Sequence, residues 1–351
     1  GYKSCLEEQK RLKKPLDLKS CQSLVSKEAT VAAMEMSLDE NVATYFEHLK
    51  GDDLLAKQEE LKSKLLNDDF QQKLLQAYKI DKKNALKAVD DFKTEATKEI
   101  ISEYMKVVIK ENFPEAGEEE LQSLRNEALK DRKSKQGIDL TEELSLVYQI
   151  SDEQKQAKAL NKVSANVYLN ATANLTPKLV SGLLVANKIE GDLSAYEKQA
   201  QTEMNGCLDG VASRNLEGDM GLEDLKPLVE TCKTEVTNSL IFSIFSDNMK
   251  QALSPFSKNP EVLNRRVEQE KGYLTSCLEE LSKSTRAKDE VFRLCPLLSA
   301  SRVIHDVLIS SSADLEIIKD IDKELLGKEV KSCTQEIIAQ NNSSSLELKT
   351  A

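Results

Sequence analysis

The chain has 351 residues, of which 40% are hydrophobic and 31% charged, with 12 Gly, 7 Pro and no Trp. That length gives one large or two medium domains, and the scarcity of turn residues favours long helices with a wet surface. The formal net charge is -11 and the pI about 5.1. No dense run of Lys or Arg is present, which speaks against nucleic acid and against an anionic membrane surface, since phosphate contacts need clustered cations.

The chain opens on Gly1-Tyr2-Lys3-Ser4-Cys5-Leu6-Glu7-Glu8, with a second cysteine at Cys21. Residues 3–13 and 17–36 read as two helical arms about the turn Lys14-Pro15-Leu16-Asp17, where Pro is excluded from a helix interior and Asp17 is available as a cap. Ser37 with Glu40 fits a capping box and predicts a short helix from about Asp39 to Lys50, stopped by Gly51. Asp52 or Asp53 then caps a helix through Leu66, and Leu61, Leu65, Phe70, Leu74 and Tyr78 continue a loose apolar stripe. A helix over Lys82–Glu111 is predicted from Ala85, Val89, Phe92, Ala96, Ile100, Tyr104 and Val108, which recur at steps of three or four. Asn112-Phe113-Pro114 ends it.

Glu118–Lys135 is predicted as a further helix ended by Gly137. Capping boxes at Asp139/Glu142, Ser151/Gln154 and Ser194/Glu197 mark later starts. Thr176-Pro177 and Asn259-Pro260 each read as a cap followed by proline at the first helical position. Asn215–Gly221 is a polar loop with two glycines. No sustained period-two alternation predicts a strand. The apolar stretches Leu179–Ile189 and Leu240–Phe245 are shorter than the roughly 18 residues a transmembrane helix needs, and they read as core helices.

The opening motif returns as Gly272-Tyr273-Leu274-Thr275-Ser276-Cys277-Leu278-Glu279-Glu280 with Cys295, and loosely as Gly206-Cys207-Leu208-Asp209-Gly210 with Cys232. Each copy reads as a helical hairpin with a cysteine on each arm. The predicted disulfides are Cys5–Cys21, Cys207–Cys232 and Cys277–Cys295, with buried free thiols as the alternative. Seven cysteines leave one over, and Cys333 is the expected unpaired thiol. The fold class is therefore all-α, about 12–15 helices in antiparallel hairpins and a bundle, disulfide-stapled and without significant sheet. The expected division is 1–137 (a cysteine hairpin over 1–36 plus a long-helix bundle), 138–341 (cysteine-stapled hairpins) and a disordered polar tail over 342–351.

Catalytic and metal patterns are sparse. The two histidines, His48 and His305, have no partner at ligand spacing, and no Cys-x-x-Cys, His-x-x-x-His, Walker or dinucleotide pattern occurs. Cys295 and His305 lie too far apart along one helix to form a nucleophile pair. No cofactor is implied. The sequons at Asn170, Asn174, Asn341 and Asn342 are glycan acceptors only in a eukaryotic secretory setting. These features predict a non-catalytic interaction or scaffold protein of the periplasm or extracellular space, whose partner is another protein or a cell-surface component. The alternatives are a carrier of an apolar small molecule or lipid inside the bundle, and a hydrolase of cell-wall or surface polymers using paired carboxylates.

Overall fold

The computed structural model describes residues 1–13, 15, 17–131, 137–186, 193–254, 260–282 and 295–304, with 186 and 280–282 as backbone only. Among these residues the fold is all-α. The helices are α1 (Tyr2–Arg11), α2 (Leu18–Tyr45), α3 (Asp52–Leu65), α4 (Asp68–Ile80), α5 (Lys82–Asn112), α6 (Glu118–Ala128), α7 (Leu140–Tyr148), α8 (Glu153–Ala186), α9 (Leu193–Arg214), α10 (Leu222–Leu253), α11 (Pro260–Ser282) and α12 (295–304). The β-pairing among them is an isolated antiparallel bridge between Lys130 and Gly137. The expected thiol Cys333, His305, the two C-terminal sequons and the tail over 342–351 lie outside the described residues.

Local chemistry sets several helix starts. Asp17 accepts a hydrogen bond from the Ser20 amide at 2.8 Å, Asn67 from Phe70 at 3.0 Å, Asp81 from Asn84 at 2.8 Å and Asp139 from Glu142 at 3.1 Å. Each satisfies an amide that the first helical turn leaves unpaired. Pro260 takes the first position of α11 as predicted.

Several expected boundaries fail, each for a physical reason. α2 runs through Ser37, because Val31, Met34, Leu38, Val42 and Tyr45 continue one buried row and burial outweighs a local cap. Gly51, at φ 60°, precedes α3, so Asp52 and Asp53 fall inside the first turn and not at the cap. The stripe expected from Leu61 to Tyr78 is broken at Asn67, which separates α3 from α4. The start expected at Ser151 belongs to Asp152, whose carboxylate accepts from the Lys155 amide at 3.0 Å. Pro177 lies inside α8; Leu169, Ala173, Val180 and Leu184 are buried at helical spacing on both sides of it, and that packing offsets the lost backbone bond. α6 stops at Ala128 because Asn174 donates to the carbonyls of Glu127 at 3.1 Å and Lys130 at 2.7 Å.

The chain divides into two compact units, one of Gly1–Leu175 with Leu208–Val229, the other of Thr176–Cys207 with the described residues from Glu230 on. α5 and α7, on either side of Gly137 in sequence, pack together inside the first unit. That unit is built on two hubs. α2 packs against α1, α3, α4 and α5, and α5 packs against α2, α4, α6 and α7. Because α5 is covered from several sides it buries two rows, the expected Ala85, Phe92, Ala96, Ile100 and Tyr104, and a second of Ile101, Met105 and Ile109. In the second unit the core gathers Phe245, Leu253, Leu263, Val267, Leu274, Leu278, Cys295 and Val303.

The Asn215–Gly221 loop is pinned to α8. Asn215 accepts from the Met220 amide at 2.9 Å, and Asn161 donates to the Gly218 carbonyl at 3.4 Å. Gly218 sits at φ 70°, and a Cβ there would meet the Lys158 carbonyl oxygen at 2.1 Å. Gly218→Ala is therefore expected to cost about 1–3 kcal/mol, measurable as a lower urea midpoint. A variant as stable as the parent would show that the loop is not held against α8.

Candidate functional site

The residues that sequence reasoning singled out as sites are the cysteines, and six of the seven are within the described residues. Cys5 is bonded to Cys21, Cys207 to Cys232 and Cys277 to Cys295, with Cα–Cα distances of 5.7, 5.8 and 5.8 Å. The three bonds share a geometry that the spacing did not reveal. In each, the second-arm sulfur (Cys21, Cys232, Cys295) is buried and the first-arm sulfur (Cys5, Cys207, Cys277) is half-buried. The leucine after the first cysteine packs inward: Leu208 and Leu278 are buried and Leu6 half-buried. Cys295 is committed to a disulfide, so no thiolate remains there for a nucleophile. His48 lies exposed just past α2, with its ring 6.1 Å from that of Phe46.

Around the junction of α2, α3 and α5, aromatic and charged groups interlock. The Tyr104 ring meets Tyr45 and Phe46 edge-on, at 5.9 and 6.3 Å. Tyr45 shares a 2.5 Å hydrogen bond with Ser164, and burial pushes its hydroxyl up to about 12. Lys57 lies over the Phe46 ring at 5.7 Å and binds Glu103 at 2.9 Å; Lys106 binds the same carboxylate at 2.6 Å. Burial alone would raise Glu103, but hydrogen bonds from Lys106 and Lys57 outweigh it and hold the group below its ordinary range. Burial likewise depresses Lys57, and bonds to Glu103 and Glu60 overcome it, so its ammonium is held above its ordinary range.

A second acidic meeting lies nearby in the same unit. Glu47 shares a hydrogen bond with Glu223 in the first turn of α10, and Lys226 is 3.7 Å from Glu47 and paired with Glu223. The bond to Glu223 raises Glu47, and the bond from Glu47, with Lys226, lowers Glu223. The shift of Glu47 arises first from its partner, whereas a buried general acid is raised chiefly by desolvation.

The second unit carries a buried charge inside an apolar row. Along α11 the positions 263, 267, 270, 274 and 278 share one face; four are Leu or Val and the fifth is Glu270, 9% exposed. Arg302 on α12 reaches it with Nε 3.2 Å from each carboxylate oxygen, and its guanidinium stacks 4.3 Å from the Tyr273 ring centre. Tyr273 belongs to the repeated Gly-Tyr motif. The partner of Glu270 lies 32 residues on, beyond the reach of any local sequence signal. Elsewhere in this unit Tyr196 donates to Asp247 at 2.9 Å, and burial together with that carboxylate pushes it up to about 12.

Two sequons are described, and neither presents a free amide. Asn170 is buried, and both amide protons of Asn174 are spent on the carbonyls that end α6. Among the described residues, no group of three His, Cys, Asp or Glu side chains is placed to hold a metal ion, and no helix is long and apolar enough to cross a membrane. No protein-family model matches the chain, and no curated protein or solved structure gives a significant match.

Two measurements check the energetics. Arg302→Ala leaves Glu270 buried and unpaired and is expected to cost on the order of 2 kcal/mol, most of it recovered in the double variant with Glu270→Gln; additive losses would show that the pair is not coupled. For Glu103, a folded pKa below the ordinary 4.5 means that its contribution is complete above that value and is lost as pH falls through the folded one. Glu103→Gln should therefore lower stability at pH 7 by about 1 kcal/mol, with the gap to the parent narrowing steadily below pH 4.5 in urea titrations. A gap independent of pH would remove the ionic account.

Proposed function

We propose that the protein is a non-catalytic, secreted or periplasmic helical scaffold that binds another protein or a cell-surface component through its exterior. One observation carries this reading: the chain uses the same cystine-closed helical hairpin three times. A bond repeated at every hairpin of one design fixes where helix surfaces lie without creating reactive groups. Such bonds persist in oxidising compartments, which supports the proposed location. The long acidic helical surface supports selective encounter with partners through charge complementarity.

The reading is tested with labelled oxidised protein applied to intact source cells before and after protease treatment. Saturable binding that protease removes, and that reduced and alkylated protein does not reproduce, is the expected result. A tightly held apolar molecule in native mass spectra would make the protein a carrier, and steady cleavage of surface polysaccharide would make it a hydrolase; either overturns the scaffold reading. As a companion measurement, replacing both Cys277 and Cys295 by Ser opens a loop with a sequence separation of 18. It is expected to cost about 3 kcal/mol and to weaken cell binding only if that hairpin lies in the contact surface.

A further inference from the structure

The acidic chain as a whole speaks against an anionic surface, yet the fold brings together a basic surface from two pieces. The described residues of 10–19 include Lys10, Arg11, Lys13 and Lys19 against Asp17, and residues 79–83 carry three Lys against one Asp, in a chain of net charge -11. These pieces are the α1–α2 turn and the α4–α5 turn. They come together because the end of α4 lies along the start of α2: the Ser23 hydroxyl donates to the Tyr78 carbonyl at 3.4 Å, and Thr30 and Tyr78 share a 2.6 Å bond. The charge of Lys79 is felt by Asp17 at the other turn.

Three of the acids at this end are engaged. Asp17 and Asp81 cap α2 and α5, and Glu8 pairs with Arg11 at 3.3 Å. Lys10, Lys13, Lys19, Lys79, Lys82 and Lys83 are exposed and form no salt bridge among the described residues. Between them stand apolar side chains in water: Leu12 is 51% exposed, Leu18 58%, Ile80 65% and Leu86 54%.

We propose that this end of the first unit docks onto an anionic lipid surface. The interleaving selects this occupant. A protein partner is met by apolar residues collected at one centre with a charged rim. Here single apolar side chains sit on two turns, each flanked by lysines, which suits leucines entering the acyl boundary while lysines reach the phosphates on their flexible stems. The proposal rests on the geometry of the two turns and not on the scaffold reading.

The test uses the full oxidised chain in vesicle flotation, comparing phosphatidylcholine with phosphatidylcholine containing about one-third phosphatidylserine, at low and near-physiological salt. Binding is expected only to the anionic vesicles and is expected to weaken with salt. Each lysine lost is expected to lower partitioning about fivefold, so Lys79→Gln with Lys83→Gln should lower it more than tenfold. Leu18→Ser with Ile80→Ser should also lower it, with unchanged circular dichroism, while Lys198→Gln on α9 leaves it intact. The proposal is overturned if the parent ignores anionic vesicles, if Lys198→Gln is as damaging as the turn variants, or if the Leu18/Ile80 variant binds as well as the parent. It is also overturned if polyglutamate binds this end and anionic vesicles do not displace it, which would make the surface a site for acidic polypeptide.

Discussion

A disulfide can close only where two Cα atoms approach to roughly 6 Å, and three times in this chain that condition dictates how one helix follows another. In the first case Cys5 and Cys21 flank a turn short enough that α1 and α2 must run side by side at the level of the sulfurs. Once that level is fixed, the register of the remaining turns follows from helical periodicity. The same condition at Cys207–Cys232 carries a longer connection, including the Asn215–Gly221 loop, without loss of the pairing. The covalent bond contributes mainly by restricting the unfolded chain, so a hairpin with a modest apolar face can still persist.

The first unit adds a second means of cohesion. α5 is surrounded by α2, α4, α6 and α7 and so buries two rows of side chains. Where charged groups enter that region they do so in company. Lys57 is shared between Glu60, Glu103 and the Phe46 ring, and Glu103 between Lys57 and Lys106. The second unit applies the same rule with one pair, Glu270 and Arg302, set into the row of leucines and valines on α11. In each case the desolvation that burial imposes is met by an opposite charge held in place by an aromatic ring.

The sequence made some of this plain and concealed the rest. α5, the turn at Pro15, the cap at Asp139 and the start of α11 at Pro260 were legible because each rests on a local signal: a long apolar period, a carboxylate before a helix, a proline at a first position. The three cysteine pairs were legible because a repeated motif set their arms. Ser37 and Thr176-Pro177 misled because tertiary burial carried the helix past a local stop signal. The end of α6 was hidden because the group that terminates it, Asn174, is 47 residues from Glu127. The second row on α5 could not be anticipated from a single-stripe rule, since it depends on how many neighbours the helix acquires. The basic run at 10–14 is plain in the sequence, but its meeting with the lysines of the α4–α5 turn depends on the fold.

The uneven depth of the sulfurs has a chemical consequence. A thiol reagent reaching one of these bonds must attack the half-buried sulfur on the first arm, because its mate is enclosed. The departing group is then the thiolate of Cys21, Cys232 or Cys295, born in apolar surroundings that disfavour negative charge. A poor leaving group slows exchange, so the orientation of each bond, with its sheltered end always on the second helix, acts as a brake on reduction and scrambling in addition to any thermodynamic resistance.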